Sequence, residues 1–113
     1  MPVSLKSLLE KYVADIKNIY GGHLITVLLY GSYARGDFNA DSDIDIMILV
    51  DLNDSEIRVL REQLAAITYD FNSIHNLEIM PMTKNYGFFK ELEDEYPFYS
   101  NIKKEGITLY DAA

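Results

Sequence analysis

Two aspartates at the head of an apolar run are the feature that most constrains how this chain folds. Residues 43–50 read DIDIMILV. Successive side chains of a strand point to opposite faces, so Asp43 and Asp45 share one face and the apolar residues at even positions share the other. With about 3.3 Å of rise per residue, the two aspartate Cα atoms lie roughly 7 Å apart. The pattern predicts a strand that begins with two neighbouring carboxylates.

The paired carboxylates favour a metal site. Two like charges this close repel each other unless a cation lies between them. Mg²⁺ is the natural occupant, because it binds carboxylate oxygens and keeps positions open for water and for substrate phosphates. The alternative is that Asp43 and Asp45 are solvated residues at the point where a loop becomes a strand.

The segment before the aspartates favours the metal site. Residues 23–30, HLITVLLY, are an almost continuous apolar run, which predicts a strand buried on both faces. The run stops at Gly31, and glycine allows a tight turn and a close approach of the backbone to a ligand. If Ser32 begins a short helix that runs to Arg35, its first N–H groups point at an anion. Together these segments predict a phosphate cradle beside a cation.

The order and spacing of these residues are also those of a known family. Gly31-Ser32, ten further residues and then Asp43-x-Asp45 resemble the signature of the DNA polymerase β-like nucleotidyltransferase superfamily. The fuller string GSYARGD, followed by DSDID, looks like its minimal nucleotidyltransferase (MNT) branch. The resemblance implies that Asp43 and Asp45 are catalytic metal ligands. It also implies nucleotide contacts by Gly31, Ser32, Arg35 and Ser42.

A third carboxylate belongs to the family pattern, on a later strand with apolar neighbours. Residues 76–82, NLEIMPM, fit that description, with Leu77 and Ile79 on one face and Glu78 on the other. The resemblance therefore implies that Glu78 completes the metal site or accepts a proton from the attacking hydroxyl. The alternative is an ordinary outward-facing residue of an edge strand.

Other polar residues carry less information. Arg35 could reach a nucleotide phosphate with its planar guanidinium, or it could pair with Asp37 or Asp41. His23 and His75 lack the spacing of metal ligands, so we assign them no role.

The rest of the chain reads as scaffold for one nucleotidyltransferase domain over residues 1–113. Apolar periodicity predicts helices over residues 4–20 and 55–72, the second capped by Asp54 or Ser55. The order strand, long helix, strand from Ile44 to Ile79 favours a crossover connection. We expect an α/β (α+β) fold with a small mixed sheet.

After Pro81 the predicted elements are helices over residues 84–96 and 98–104 and a strand over residues 107–110. The aromatic residues of this region are assigned mainly to the core.

Composition limits the classes of function. The 113 residues include 18 acidic and 10 basic ones, a formal net charge of −8, and no cysteine. Such a charge repels a polyanion and argues against a templated polymerase. No disulfide or thiolate metal site is expected, no apolar stretch approaches the ~20 residues that span a bilayer, and the amino terminus lacks a signal-peptide layout. We expect a cytoplasmic protein.

The resemblance implies a specific reaction and partner. Minimal nucleotidyltransferases of this kind are paired with a small helical HEPN ribonuclease toxin and act as its antitoxin, which implies Mg²⁺-dependent transfer of AMP from ATP to a tyrosine hydroxyl of the toxin. Two alternatives are a non-catalytic antitoxin that covers its partner and nucleotidyl transfer to a small molecule such as an aminoglycoside. The sequence leaves the oligomeric state open.

Overall fold

The computed structural model describes residues 3–112 and has an α+β architecture. The four strands form one mixed sheet with the order β3-β2-β1-β4. In chain order the elements are α1 (Val3–Tyr20), β1 (Leu24–Tyr30), α2 (Ser32–Arg35), β2 (Ile44–Val50), α3 (Asp54–His75), β3 (Ile79–Asn85), α4 (Tyr86–Leu92), α5 (Pro97–Glu105) and β4 (Ile107–Asp111).

Strand pairing confirms the predicted mixed sheet. Strand β1 pairs with β2 and with β4 in antiparallel fashion, whereas β2 and β3 are parallel. Parallel neighbours need a crossover, and α3 supplies it. The predicted crossover between Ile44 and Ile79 is therefore present.

Strand β2 is the centre of two apolar clusters, one on each face of the sheet. Its even-numbered residues 44, 46, 48 and 50 pack with residues of α1 and α3. On the other face Met47 and Leu49 pack with Phe89 of α4 and Ile102 of α5. Because side chains alternate along a strand, Asp45 lies on the face of Met47 and Leu49. The site residue is therefore on the side of the sheet that α4 and α5 cover.

Strand β1 is less buried than predicted. Val27 and Leu29 are fully buried on one face, but Leu28 and Tyr30 are only partly buried on the other. The reason is that the short helices α4 and α5 cover their face of the sheet less completely than the long helices cover theirs. Complete burial on both faces is wrong for this strand.

Helix α3 is longer than predicted and has a different N-cap. Asn53 is the cap: its side chain accepts a hydrogen bond from the Glu56 N–H, and the Glu56 carboxylate accepts one from the Asn53 N–H. This reciprocal pair satisfies two amide donors of the first turn. The helix continues to His75 and ends at Asn76 in the left-handed conformation.

Strand β3 begins later than predicted, at Ile79, so Glu78 precedes it. The left-handed turn at Asn76 delays the strand, and the Asn72 side chain then pairs with both the N–H (2.9 Å) and the carbonyl (3.2 Å) of Ile79. This side chain occupies the open edge of the sheet at that residue, and Pro81 offers no amide there, so the edge is protected from pairing with another strand.

The carboxyl-terminal third contains the predicted elements with shifted bounds. Helix α4 is shorter than the predicted 84–96 because Asn85 caps it and β3 extends to that residue. Of the aromatic residues that were assigned to the core, Phe89 is buried, whereas Phe88, Tyr96 and Phe98 are about half exposed. Core packing is therefore wrong as the general explanation for this segment. Among residues 3–112 no helix is both long and apolar enough to cross a membrane.

Candidate active site

The turn after β1 brings the backbone against the second aspartate. Gly31 has φ +74°, a conformation that residues with a Cβ rarely adopt, and an added Cβ would overlap Asp45 Oδ2. The Gly31 carbonyl accepts hydrogen bonds from the amides of Ala34 and Arg35, both at 3.1 Å. Glycine is thus required here both for the turn and for the closeness of the Asp45 carboxylate.

The two aspartates differ in their surroundings. Asp43 is exposed in the loop before β2, whereas Asp45 is partly buried on β2, opposite Tyr30 of β1. Burial raises the pKa of Asp45, the negative charge of Asp43 raises it further, and the positive charge of Arg35 opposes both effects. A cation bound here would stabilise the ionised Asp45 carboxylate against both effects.

The loop before Asp43 is held by its own side chains. The Ser42 hydroxyl accepts a hydrogen bond from the Asn39 N–H at 2.9 Å, and the Asn39 side chain accepts one from the Asp41 N–H at 2.8 Å. Tyr33 and Phe38 stack with ring centroids 4.3 Å apart. Ser42 thus serves the turn that leads into the first aspartate, and its nucleotide contact stays a prediction.

A cleft of about 510 Å³ contains four of the predicted site residues. We call it the Gly-Ser cleft. One wall is built by β1, α2 and β2 and the other by α5. The lining residues are Tyr30, Gly31, Ser32, Arg35 and Asp45 on the first wall and Phe98, Asn101, Ile102 and Glu105 on the second.

Arg35 bridges the two walls. Its guanidinium pairs with Asp37 at 3.2 Å and with Glu105 of α5 at 3.5 Å. The hydrogen bond to Asp37 is the main reason that the pKa of Arg35 is raised, and Glu105 adds to it. The predicted pairing with Asp37 is present, and Arg35 also lines the cleft, where a phosphate would compete with the carboxylates for its N–H donors.

Helix α5 is fixed beside the cleft by an ion-pair cluster. The Glu93 side chain is only 7% exposed and lies 3.1 Å from the Lys90 ammonium and 3.2 Å from that of Lys103. Burial would raise the pKa of Glu93, but the hydrogen bonds from the two lysines prevail and lower it. Since Lys103 is on α5, this cluster ties the second wall of the cleft to α4.

Glu78 lies outside the Gly-Ser cleft. Its side chain is exposed, and its carbonyl accepts a hydrogen bond from the Ile44 N–H at 2.8 Å. Ile44 pairs with Ile79, so extending that register by one residue puts Glu78 beside Asp43 on the same face of the sheet. Within the described residues, no group of three acidic, histidine or cysteine side chains is close enough to hold a metal ion.

The second wall of the cleft was not predicted from the sequence. Phe98, Asn101 and Glu105 follow at helical spacing and therefore lie on one side of α5. The available signal was an aromatic residue and an amide on the same helix side as Ile102, the buried residue of that helix. Nothing local in the sequence connects this helix with a turn some seventy residues earlier.

The chain matches known nucleotidyltransferases in sequence. Residues 9–108 match the nucleotidyltransferase domain family. A relative from Methanocaldococcus jannaschii, named "Putative protein adenylyltransferase MJ0604", is 32% identical over 103 residues, which are 90% of this chain and 94% of the relative. A second protein of that organism with the same description, MJ0141, is 31% identical over 77% of this chain and 90% of its own length.

Solved structures agree on the fold. A crystal structure described as the toxin-antitoxin with AMP-PNP superimposes with a TM-score of 0.56 at 19% identity, over 91% of this chain and 73% of that chain. A mutant of the toxin-antitoxin MntA-HpeT gives a TM-score of 0.56 at 17% identity over the same shares. At these identities the similarity concerns the fold alone. With the match over residues 9–108 and the relatives above 30% identity, this chain belongs to the nucleotidyltransferase domain family.

Proposed function

We propose that this chain transfers AMP from ATP to a tyrosine hydroxyl of a HEPN-type ribonuclease toxin, in a Mg²⁺-dependent reaction, and so acts as its antitoxin. The observation that carries the proposal is the contact of the Gly31 backbone with the Asp45 carboxylate inside the Gly-Ser cleft. That closeness supports a turn suited to phosphates directly beside a carboxylate suited to a metal. The names of the relatives and the AMP-PNP in the similar toxin-antitoxin crystal structure support the choice of adenylyl group and partner.

The donor set fits Mg²⁺. Asp43 and Asp45 would hold the ion with carboxylate oxygens, and Mg²⁺ in nucleotide-handling sites is commonly bound by one or two carboxylates together with substrate phosphates. Two protein ligands therefore suffice for a first ion. When bound, the ion neutralises charge on the triphosphate and on the leaving pyrophosphate.

Other residues of the chain would bind the phosphates and accept the proton. The Gly31-Ser32 backbone and Arg35 would bind the β- and γ-phosphates and hold the α-phosphorus in line with the acceptor. The acceptor oxygen forms a bond to that phosphorus, the bond to the bridging α–β oxygen breaks, and pyrophosphate leaves. The hydroxyl proton passes to a base, for which we propose Glu78, with a second metal site as its alternative role.

The net charge of the chain is consistent with a basic protein partner. The net charge of −8 complements a basic ribonuclease and would speed its association. Because the reaction consumes ATP, we propose the cytoplasm as its compartment. We also propose that residues 1–113 form one catalytic domain.

The test separates catalysis from simple covering of the partner. The HEPN-type partner that the proposal requires is sought in the neighbouring reading frame, incubated with this chain, ATP and Mg²⁺, and is then separated and assayed for ribonuclease activity and intact mass. We expect the mass of the toxin to increase by one adenylyl group on a tyrosine and its activity to stay low after separation. Asp45→Asn, carried through the same steps, should yield unmodified, active toxin. Full recovery of activity regardless of ATP would identify a non-catalytic antitoxin and overturn the proposal.

A further inference from the structure

We infer that the α5 wall of the Gly-Ser cleft binds the nucleobase, with Phe98 as the stacking platform and Asn101 as the residue that contacts the base edge. The inference rests on the proposed function, since it assigns part of the ATP molecule to residues that have no role in the reaction so far. It adds the specificity element that the Gly-Ser turn and the aspartates lack, because phosphates and Mg²⁺ are the same in every nucleoside triphosphate.

The two walls of the cleft differ in chemistry. The first wall presents the Gly31-Ser32 backbone, Arg35 and Asp45, groups that suit phosphates and a cation. The second wall presents an aromatic ring and an amide from α5, and its one carboxylate, Glu105, pairs with Arg35. A ligand that satisfies both walls has a polyanionic end and a flat, hydrogen-bonding end, which is the description of a nucleotide. The volume of about 510 Å³ falls within the range of ligand pockets.

Phe98 is available for stacking and is held in place. Its side chain is 46% exposed, although an aromatic ring of this size normally gains by burial. Tyr30 meets it edge to face, with centroids 6.0 Å apart and an interplanar angle of 89°, and Tyr99 does so at 5.2 Å and 85°. These two edge-to-face contacts fix the ring at the cleft. Bases of nucleotides stack favourably on such exposed aromatic rings.

Asn101 follows Phe98 by three residues, so both side chains lie on the same side of α5. Its amide offers one acceptor and two donors, the set that forms a paired contact with the edge of adenine. Glu105, one turn further on, pairs with Arg35 and so ties this side of α5 to the phosphate-binding wall. The order Phe98, Asn101, Glu105 therefore leads from the base to the phosphates along one helix.

The experiment measures binding rather than turnover. The probes are α,β-methylene-ATP, whose α–β link resists cleavage, its CTP counterpart, and inorganic tripolyphosphate, which has no base. Affinities for the full chain with Mg²⁺ are measured by calorimetry. We expect Phe98→Leu to weaken binding of α,β-methylene-ATP about tenfold and to leave tripolyphosphate unchanged, and Phe98→Tyr to bind as the original chain does. We expect Asn101→Ala to reduce the preference for the adenine analogue over the cytosine analogue, also about tenfold.

Matched controls exclude general effects on the fold. Phe88 on α4 is exposed to a similar extent, 49%, but lies outside the cleft, so Phe88→Leu should change neither affinity. Asn18→Ala on the exposed side of α1 serves the same purpose for Asn101. Equal loss of α,β-methylene-ATP and tripolyphosphate affinity in Phe98→Leu, or no loss of either, would overturn this inference. If the unsubstituted chain bound no α,β-methylene-ATP at all, the proposed function itself would be overturned.

Discussion

Two cavities of nearly equal size lie on opposite faces of the sheet, and their difference shows what makes one of them a candidate site. The Gly-Ser cleft has a volume of about 510 Å³ and the second cavity, between α3 and β3, about 500 Å³. We call the second one the α3–β3 groove, and the lining residues used below are Leu64, Thr68, Asn72, Ile79 and Lys84.

The buried and partly buried polar groups at the base of the α3–β3 groove hydrogen-bond within the protein. The Tyr12 hydroxyl lies 2.7 Å from the Thr68 hydroxyl, which donates to the Leu64 carbonyl at 2.7 Å. The Asn72 side chain pairs with both backbone groups of Ile79. In the Gly-Ser cleft, by contrast, a partly buried carboxylate with a raised pKa faces open space. Size alone therefore does not identify a site, whereas polar groups that still need a partner do.

We expect substitution of either aspartate, Asp45 in the Gly-Ser cleft or Asp43 in the loop before β2, to abolish activity without unfolding the protein. Asp45→Asn, and likewise Asp43→Asn, should lower AMP transfer at least about 10²-fold, because each removes a metal ligand. In metal-free buffer Asp45→Asn should be as stable as the original chain or more so, because burial and Asp43 disfavour its charge. Labelled-ATP transfer and thermal unfolding test both parts. Normal transfer by either variant would disprove the two-aspartate metal site.

The turn gives a second large effect. Gly31→Ala should abolish transfer and destabilise the fold by about 1–2 kcal/mol, because the new Cβ overlaps the Asp45 carboxylate and the backbone has φ +74°. Gly22→Ala is the matched control, since a Cβ there meets no atom within 4 Å. Both variants are compared by urea unfolding and transfer assay. Similar behaviour of the two would show that the closeness of Gly31 to Asp45 has no functional role.

Glu78 tests how far the site extends. The β2–β3 register puts it beside Asp43, but it does not line the Gly-Ser cleft. If it is the base or a ligand for a second ion, Glu78→Gln should lower kcat about 10- to 100-fold with little change in KM, since activation of the acceptor is felt mainly in the transition state. Glu62→Gln on the exposed side of α3 is the control for loss of one negative charge. Unchanged kcat in Glu78→Gln would remove the third carboxylate from the mechanism while leaving Asp43 and Asp45 in place.

Local patterns predicted the parts of this fold that local physics determines. The alternation along β2, the Gly31 turn and helix α2 over Ser32–Arg35 follow from side-chain direction and from the conformational freedom of glycine. The crossover followed from the order of elements alone. In each case the residues that specify the element are neighbours in the chain.

The missed features depend on individual side-chain pairings rather than on apolar periodicity. Asn53 rather than Asp54 caps α3, and the choice between adjacent capping residues depends on which side chain reaches the Glu56 amide. Strand β3 begins late because Asn72 holds Ile79 from a different element. The α5 wall of the cleft is held by the ion pair of Lys103 with Glu93 and by the packing of Ile102 in the core. No periodicity in the sequence encodes such pairings.

The smallest expected effects concern the α3–β3 groove, where we expect substitutions to change stability but not activity. Because Thr68 gives its only hydroxyl proton to Leu64, Tyr12 must be the donor to Thr68. Tyr12→Phe should cost about 1 kcal/mol in urea unfolding at pH 7 and leave AMP transfer unchanged. Lys84→Gln, at the rim of the same groove, should alter neither quantity beyond about 0.5 kcal/mol.

The pH dependence of that difference is a further check on Tyr12. Burial raises the pKa of Tyr12 to about 12 in the folded protein, whereas a tyrosine in the unfolded chain titrates near 10. The folded state therefore retains the proton more strongly, and the advantage over Tyr12→Phe should be complete below pH ~10 and shrink as the pH rises towards 12. A difference that grew with pH would contradict burial of a neutral hydroxyl. Loss of AMP transfer in Tyr12→Phe at pH 7 would instead show that the groove and the cleft are coupled through the sheet that separates them.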